Sequence, residues 1–381
     1  MKITRIETFL VPPRWLFVRI ETDEGAVGWG EASLEGRSET VRTAVEQLAE
    51  VLLGQDPLRI QDHWQVMMKG SFYRGGPVLS SAVSGLDQAL WDIAGKIAGL
   101  PVHTLLGGPV RDRIRMYGWV GGDEPNEIAD AISERLEQGL TAVKMNASGR
   151  FARIANNRDI DGIIGRVVAA REVLGDTGDV GVDFHGRITM PNARRIIPEL
   201  EPMRPMFVEE PTTPENSHLL GQLTQGTSIP IATGERLYSR NEFLPVLQAG
   251  ISIAQPDLSH AAGISEVHRI ASLAEIFDAQ LAPHCPLGPI ALASCLQIGF
   301  AVPNYFIQEQ SIGIHYNQDG EVLDYLADTT VFDIRDGFIE RLQAPGLGID
   351  IDEAAVRKAD ERGHAWRGPV WRHTDGSFAE W

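Results

Sequence analysis

The sequence predicts an α/β protein in which a β/α barrel follows a smaller α+β domain. Its 381 residues exceed the usual size of one compact domain, while 43% hydrophobic and 23% charged residues are ordinary for a globular chain. After a β-rich and helical opening, short apolar runs alternate with amphipathic helical stretches, which is typical of repeated βα units. We expect an α+β capping domain over residues 1–110, the barrel over 111–355, and a tail over 356–381 that packs back on the cap.

The first domain begins as an antiparallel meander. The β-rich runs cover residues 2–11, 15–21 and 26–32. Pro12-Pro13 and the stretch 23–25 separate them, and apolar helices are expected over 41–52 and from about 79 to 98. Gly28-Trp29-Gly30 starts like a dinucleotide-binding loop, but a third glycine and a following helix are missing. We therefore assign it to the end of the meander.

The barrel is indicated by seven apolar runs that each end in an ionisable residue. In chain order these residues are Lys144, Asp183, Glu209, Glu235, Asp257, His284 and Glu309. They lie 22 to 39 residues apart, about the length of one strand, one helix and two loops. With a first strand near 115–119 the strands number eight, and their C-terminal ends should meet in one mouth. Any one of these residues alone could instead form a salt bridge at the barrel rim.

Three successive strands end in carboxylates, which predicts a metal site. Asp183, Glu209 and Glu235 should converge, and three converging anions need a cation. Because all three ligands are oxygens and no Cys or His joins them, Mg²⁺ fits better than Zn²⁺. A structural ion-pair network is the alternative.

Two histidines are candidates for proton transfer at this mouth. His185 lies two residues beyond Asp183 and so shares its side of an extended strand. His284 ends the strand next to that of Asp257, and a carboxylate beside an imidazole orients the ring and raises its basicity. Lys144 supplies positive charge for a carboxylate substrate, and a protonated Glu309 could donate to a developing oxyanion. The other histidines, His260 and His315 among them, we assign to the core or the surface.

Composition excludes several classes of protein. A net charge of −18 repels nucleic acid and anionic membranes, so neither is an expected partner. Cys285 and Cys295 are too few for a disulfide framework and favour a reducing compartment. Glu7 and two prolines interrupt any N-terminal signal peptide, and the longest candidate span, residues 290–302, is short. We expect a cytoplasmic protein.

Several motifs together resemble the sugar-acid dehydratases of the mandelate racemase group in the enolase superfamily. They are Val182–Arg187, Phe207–Pro211, Gly234–Arg236, Gln255–His260, Ala282–Pro289, Gln308–Gln310 and the tail Trp371–Trp381. The resemblance covers nearly the whole chain. It implies a (β/α)7β modified TIM barrel, one Mg²⁺ per subunit, a homo-oligomer that is commonly an octamer, and elimination of water from a sugar acid.

The resemblance also implies roles for the strand-end residues. Asp183, Glu209 and Glu235 match the metal ligands of this group. His284 with Asp257 matches its base dyad, His185 its general acid and Glu309 its stabiliser of the enediolate.

One departure from the wider group bears on the reaction. Racemases of this kind carry Lys-x-Lys at the second strand, with the second lysine as a base, whereas this chain has Lys144-Met145-Asn146. One of the two opposed bases is thus missing, which favours elimination and leaves Lys144 and Asn146 as substrate contacts. A sugar-acid epimerase or racemase on the same scaffold is the first alternative, and a non-catalytic barrel that serves binding or assembly is the second.

The cap should select the sugar acid. Arg14-Trp15 and Tyr73-Arg74 are basic and aromatic pairs near turns of the cap, and we expect them to contact the distal hydroxyls. Packing between cap and barrel is the alternative interpretation of both pairs.

Overall fold

The computed structural model describes residues 1–122 and 124–381. The N-terminal strands are β1 (Ile3–Val11), β2 (Trp15–Thr22) and β3 (Val27–Glu31), which pair antiparallel in that order. The helices that follow are α1 (Ser38–Leu52), α2 (Ile60–Lys69), α3 (Pro77–Ala98) and α4 (Val102–Leu105). The predicted meander and the two apolar helices are confirmed. The sequence analysis missed α2, because only four of its ten side chains are buried.

The glycines of β3 allow α3 to lie directly on the sheet. A Cβ at Gly30 would overlap the carbonyl oxygen of Gly85, and one at Gly28 would overlap that of Ala89. The backbone of α3 therefore lies closer to β3 than a residue with a side chain at these two positions would allow. The assignment of Gly28-Trp29-Gly30 to the meander is confirmed, since these residues lie in β3.

Eight parallel strands form the barrel. They are β4 (Arg113–Val120), β5 (Ala142–Asn146), β6 (Asp179–Asp183), β7 (Phe207–Glu209), β8 (Ile231–Thr233), β9 (Ile253–Ala254), β10 (Gln280–Leu281) and β11 (Gln308–Gln310). Neighbours along the chain pair from β4 to β10, and β11 pairs with β4. A parallel bridge joins Leu281 of β10 to Tyr305, three residues before β11, so the sheet closes.

Seven helices connect these strands. They are α5 (Pro125–Glu137), α6 (Asn157–Leu174), α7 (Met190–Leu200), α8 (Gly221–Thr224), α9 (Arg240–Gln248), α10 (Gly263–Ile276) and α11 (Pro289–Ala301). Short 3₁₀ helices cover Glu201–Met203, Pro214–Leu219, Val322–Tyr325 and Thr329–Phe332. No α-helix of the described chain follows β11 directly, and the (β/α)7β prediction is confirmed. In residues 1–122 and 124–381, none of the helices has both the length and the apolar character needed to cross a membrane.

The chain returns to the cap after the barrel. β12 (Phe338–Glu340) pairs antiparallel with β4, and α12 (Glu353–Arg362) then lies beside β1, where Asp360 Oδ1 accepts a hydrogen bond from Leu10 N at 2.7 Å. A final hairpin comprises β13 (Trp371–Arg372) and β14 (Phe378–Ala379). The domain boundaries given above stay a prediction.

Glu31 joins the cap to the barrel at the N-terminus of α11. Its fully buried carboxylate accepts hydrogen bonds from Gly288 N at 2.9 Å, Ala291 N at 3.0 Å and the Ser33 hydroxyl at 2.8 Å. Burial raises the pKa of Glu31 to about 7, and these donors offset the effect only in part. An acid whose pKa is raised on folding stabilises the protein below its unfolded-state pKa and loses that contribution as pH rises through its folded-state pKa.

We therefore expect the free energy of unfolding to fall between about pH 4.5 and 7 by up to about 3 kcal/mol through this one group. The difference between the parent and Glu31→Gln, followed by urea unfolding across that range, isolates the contribution. Parallel pH profiles for the two proteins would contradict it.

Candidate active site

The three predicted carboxylates lie at the C-terminal ends of neighbouring strands. Asp183 and Glu209 are the last residues of β6 and β7 and are paired in register. Glu235 follows β8 by two residues, after Gly234, whose φ of +143° suits glycine. All three side chains are almost or fully excluded from solvent, with Glu235 the most accessible at 11%. The structure thus brings the predicted set to one mouth.

The three carboxylates differ in how many of their oxygens have hydrogen-bond partners. Asp183 Oδ1 accepts a hydrogen bond from His185 N at 2.5 Å. Glu209 is bonded through both oxygens, by Lys144 Nζ at 2.7 Å and by Gln255 Nε2 at 2.6 Å. Glu235 Oε2 is buried and has no hydrogen-bond partner, and the nearest cation is His284 Nε2 at 3.4 Å. One oxygen of the cluster is therefore left for a ligand.

The electrostatics of the cluster call for a cation. Burial raises the pKa of Glu209 to about 8, the charges of Asp183 and Glu309 add to the effect, and Lys144 offsets it only in part. Burial opposes ionisation of Glu235 as well, but the charges of His284, Arg236 and His185 lower its pKa to about 2. Several carboxylates are packed around a single ammonium group, that of Lys144. All of them can therefore be ionised together only if further positive charge is present.

The donor set fits a hard divalent ion. Three carboxylates on rigid strand ends match the oxygen preference of Mg²⁺. Besides Glu235 Oε2, three buried oxygens of this mouth lack hydrogen-bond partners, as expected where a ligand binds. They are Tyr117 Oη, Asn146 Oδ1 and Gln255 Oε1.

A second group, Asp257 with His260 and His284, also brings its ligand atoms within 4.8 Å of one another. Two of its ring nitrogens already have protein partners, since His284 Nδ1 lies 2.8 Å from Asp257 Oδ2 and His260 Nε2 lies 3.1 Å from the carbonyl oxygen of Ser33. The three carboxylates stay the predicted metal site.

His284 and Asp257 form the predicted dyad. The 2.8 Å contact to Asp257 occupies Nδ1 of His284 and leaves Nε2 facing Glu235. Burial alone would lower the pKa of His284, but Glu235 and Asp257 outweigh it and raise that pKa to about 10. An imidazole that keeps its proton at neutral pH is no base. A cation held by Glu235 would oppose this effect, so its binding and the protonation of His284 would be linked.

His185 lies at the mouth of the same barrel, next to Asp183. Its Nδ1 is 3.1 Å from Asp183 Oδ2, and its side chain is 28% exposed. The backbone of His185 has φ of +54°, an uncommon conformation for a residue other than glycine, and such strain is often found at functional sites. Both His185 and His284 act electrostatically on Glu235, so both imidazoles lie near the carboxylate cluster.

Lys144 is a fixed cation between two carboxylates. Its Nζ lies 2.7 Å from Glu209 Oε1 and 2.8 Å from Glu309 Oε1. Burial would lower the pKa of Lys144, but Glu209 and Glu309 raise it well above the usual value. Glu309 also accepts a hydrogen bond from Cys285 N at 2.9 Å. Lys144 therefore cannot release a proton easily and keeps its positive charge.

Asn146, the last residue of β5, pairs in register with Asp183 of β6.

The cap candidates occupy two different environments. Arg14 and Trp15 are fully buried, and the guanidinium of Arg14 contacts Glu35 Oε1 at 2.5 Å, Pro286 O at 2.6 Å and Asn317 Oδ1 at 2.7 Å. These contacts favour the packing alternative for this pair. Tyr73 is 82% exposed, and Arg74 is also exposed, on the loop that precedes α3. A role of either pair in selecting the sugar acid stays a prediction.

Sequence reasoning missed several residues of the mouth. Gln255 binds Glu209, and His260 Nδ1 lies 3.7 Å from Asp257 Oδ2, so His260 belongs to the dyad's surroundings rather than to a separate part of the core. Arg236 Nη2 binds Glu210 Oε2 at 2.6 Å and crosses Gly186, where a Cβ would overlap the guanidinium. The sequence signal that could have identified these residues is that each of them is a second polar residue close to a strand end.

Replacing Gly186 by Ala should displace Arg236 and lower both stability and activity. Gly186 has φ of +62°, so Ala adds about 1–2 kcal/mol of backbone strain to the clash. Gly99→Ala is the matched control, because Gly99 has φ of +66° and no atom lies within 4 Å of an added Cβ. Urea unfolding and turnover should show a larger loss for Gly186→Ala, and equal losses would contradict this interpretation.

Comparisons with known proteins identify the family. Residues 10–107 match the mandelate racemase/muconate lactonizing enzyme N-terminal domain, and residues 127–355 match the enolase C-terminal domain-like family. The chain is 52% identical to D-galactonate dehydratase of Variovorax paradoxus (strain S110) and 51% identical to that of Ralstonia pickettii (strain 12J), over 100% of each chain.

Solved structures agree with this assignment. An enolase from Agrobacterium radiobacter, bound to Na and L-malate with an ordered active site, has 34% identity and a TM-score of 0.90 over 100% of both chains. A mandelate racemase/muconate lactonizing enzyme-like protein from Roseovarius sp. TM1035 has 30% identity and a TM-score of 0.90, over 98% of this chain and 99% of that one. The chain therefore belongs to the mandelate racemase/muconate lactonizing enzyme family of the enolase superfamily.

Proposed function

We propose that this protein is a hydro-lyase that converts D-galactonate to 2-dehydro-3-deoxy-D-galactonate. The observation that carries the proposal is the presence of two imidazoles next to one carboxylate cluster, His284 with its Asp257 partner at 2.8 Å and His185 beside Asp183. Elimination of water needs one group to take a proton and another to give one. Full-length relatives named D-galactonate dehydratase, at 51% and 52% identity, support the choice of substrate.

The proposed metal ligands are Asp183, Glu209 and Glu235. A bound Mg²⁺ would supply Lewis-acid polarisation of the substrate carboxylate, a contribution of roughly several kcal/mol. The fit is supported by the unpartnered oxygen of Glu235 and by the raised pKa of Glu209.

The chain's own residues divide the proton transfers. His284 removes the proton from C2, and Asp257 keeps its Nε2 directed to the substrate through the bond to Nδ1. Negative charge then grows on the substrate carboxylate, and the Lys144 ammonium, which Glu209 and Glu309 hold in place, offsets it. His185 donates a proton to the departing 3-hydroxyl. Asn146, with an unpartnered buried oxygen, is placed to contact a substrate hydroxyl.

A racemase or epimerase is the second candidate, and the chemistry of Lys144 argues against it. Such a reaction needs a base on each face of C2. Lys144 is held by two carboxylates and its pKa is raised, while position 146 holds an amide rather than a second lysine. Only one face therefore has an effective base.

Product analysis with a panel of mono- and diacid sugars tests the proposal. The magnesium-loaded protein should form a 2-keto-3-deoxy acid from D-galactonate faster than from the other acids. Inversion at C2 without loss of water would establish the epimerase instead. Absence of product and of C2 proton exchange with every acid would leave a non-catalytic barrel.

Location and assembly also remain proposals. A cytoplasmic location is supported by two cysteines that are both free and buried. A homo-oligomer, of the octameric kind common in this group, stays a prediction.

A further inference from the structure

The last residues of the chain run between the cap and the barrel mouth. We call residues 364–381 the C-terminal strap. On the cap side, a Cβ at Gly36 would lie 3.1 Å from Gly368 N and 3.5 Å from the Trp366 ring, so the strap backbone packs tightly there. On the barrel side, Arg150 Nη1 donates to the carbonyl oxygen of Arg372 at 2.8 Å. The strap therefore contacts both the cap and the loop after β5.

The strap also contacts the loop that carries the proposed acid. The Arg187 guanidinium lies 5.0 Å from the centre of the Trp371 ring and donates to the carbonyl oxygen of Ser148 at 2.5 Å. Arg187 follows His185 by two residues. The strap, the loop after β5 and the loop after β6 are thus joined through one buried guanidinium.

Trp381 lies against His185 itself. The two ring centres are 5.9 Å apart at an interplanar angle of 76°, and Trp366 supports the indole from the strap at 6.0 Å. Trp381 is 39% exposed, and the His185 side chain is 28% exposed. The indole therefore keeps an accessible surface next to the imidazole, while its position is fixed by a second aromatic ring.

The indole lies next to the imidazole that, in the proposed function, protonates the substrate. Asp183 occupies Nδ1 of His185, so the proton is transferred through Nε2. A sugar acid presents C–H groups between its hydroxyls, and aromatic side chains bind such surfaces while their polar edge can hydrogen-bond. A part-exposed, supported indole is suited to this contact.

Resting on the proposed function, we propose that Trp381 is a wall of the substrate pocket, in contact with the carbon chain beyond C3, and that it determines which sugar acids bind. The strap is then part of the active site, in addition to the cap. If Trp381 instead only held His185 in place, replacing Trp381 would lower kcat by the same factor for every acid.

The test compares Trp381→Ala and Trp381→Phe in the magnesium-loaded, full-length protein. Phe378→Ala is the matched control, because Phe378 is another aromatic residue of the strap hairpin and is 53% exposed. We expect Trp381→Ala to raise the KM for D-galactonate about tenfold, the equivalent of one aromatic contact, and to change the ranking of acids that differ beyond C3. Trp381→Phe should recover most of the affinity, and Phe378→Ala should match the parent.

Calorimetric titration of the same acids gives a readout that does not depend on turnover, and thermal unfolding reports whether each variant is folded. If Trp381→Ala fails to fold, Trp381→Leu replaces it. Unchanged affinities and ranking in a folded variant, or an equal fall in kcat for all acids with KM unchanged, would overturn the role of Trp381. Sugar acids that bind with Trp381-dependent affinity but are not dehydrated would overturn the proposed function and leave the wall intact, whereas absence of binding would overturn both.

Discussion

Replacing His284 by Asn should abolish dehydration and, with it, the exchange of the C2 proton for solvent deuterium. His284 is the imidazole held by Asp257, and it is buried beside Glu235. Since proton removal comes first, every later step depends on it. Incubation of D-galactonate in deuterated water, followed by NMR of C2, measures the exchange directly.

His185→Asn separates the two proton transfers. His185 acts only when the 3-hydroxyl leaves, so this variant should dehydrate about 10²–10⁴ times more slowly, as is typical of a lost general acid, while it retains C2 exchange. His218→Asn is a matched control on an exposed 3₁₀ helix and should behave like the parent. Normal exchange in His284→Asn, or dehydration at the parent rate in His185→Asn, would show that the roles are wrongly assigned even if the enzyme class is right.

The residues at the strand ends could be predicted from the sequence because each depends only on the short apolar run before it. Asp183, Glu209 and His284 each follow an apolar run, and parallel strands bring such positions together whatever the intervening helices are. The strand limits were less accurate. β5 continues two residues past Lys144, and β8 ends two residues before Glu235, because apolar runs mark burial rather than backbone pairing.

Contacts between loops could not be derived in this way. Gln255 reaches Glu209 across 46 positions, and Arg236 reaches Glu210 only because Gly186 leaves room for its guanidinium. His260 looked like any core histidine, since its contact with Asp257 depends on the turn after β9. Such pairs are set by how loops pack in three dimensions, which no local pattern encodes.

The cap illustrates the same limit. Arg14 carries the charge expected of a substrate contact, yet its donors are used by Glu35, Asn317 and Pro286. An arginine that binds a ligand and one that joins two domains have the same sequence signature, and only the location of acceptors distinguishes them. For the tail, the sequence predicted packing on the cap, whereas the contact of Trp381 with His185 could be found only from the structure.

Removal of divalent metal should stop turnover, and added Mg²⁺ should restore it. Of the three proposed ligands, Glu235 has an oxygen without a partner, whereas Glu209 is bonded to Lys144 and Gln255. Glu235→Gln should therefore lose metal content as well as activity. Glu215→Gln, on an exposed part of the loop after β7, is the matched control and should keep both.

Two readouts of metal binding do not depend on activity. Mg²⁺ at one hundred times its Kd should raise the free energy of unfolding by about 2.7 kcal/mol, because a ligand that binds only the folded state stabilises it. Because burial raises the pKa of Glu209, protons compete with the metal for this carboxylate more strongly than for an exposed one. Affinity for Mg²⁺ should therefore increase as pH rises from about 6 to 8, with proton release measurable by titration calorimetry. Full activity after exhaustive chelation, or unchanged metal content in Glu235→Gln, would show that these carboxylates form an ion-pair network instead of a metal site.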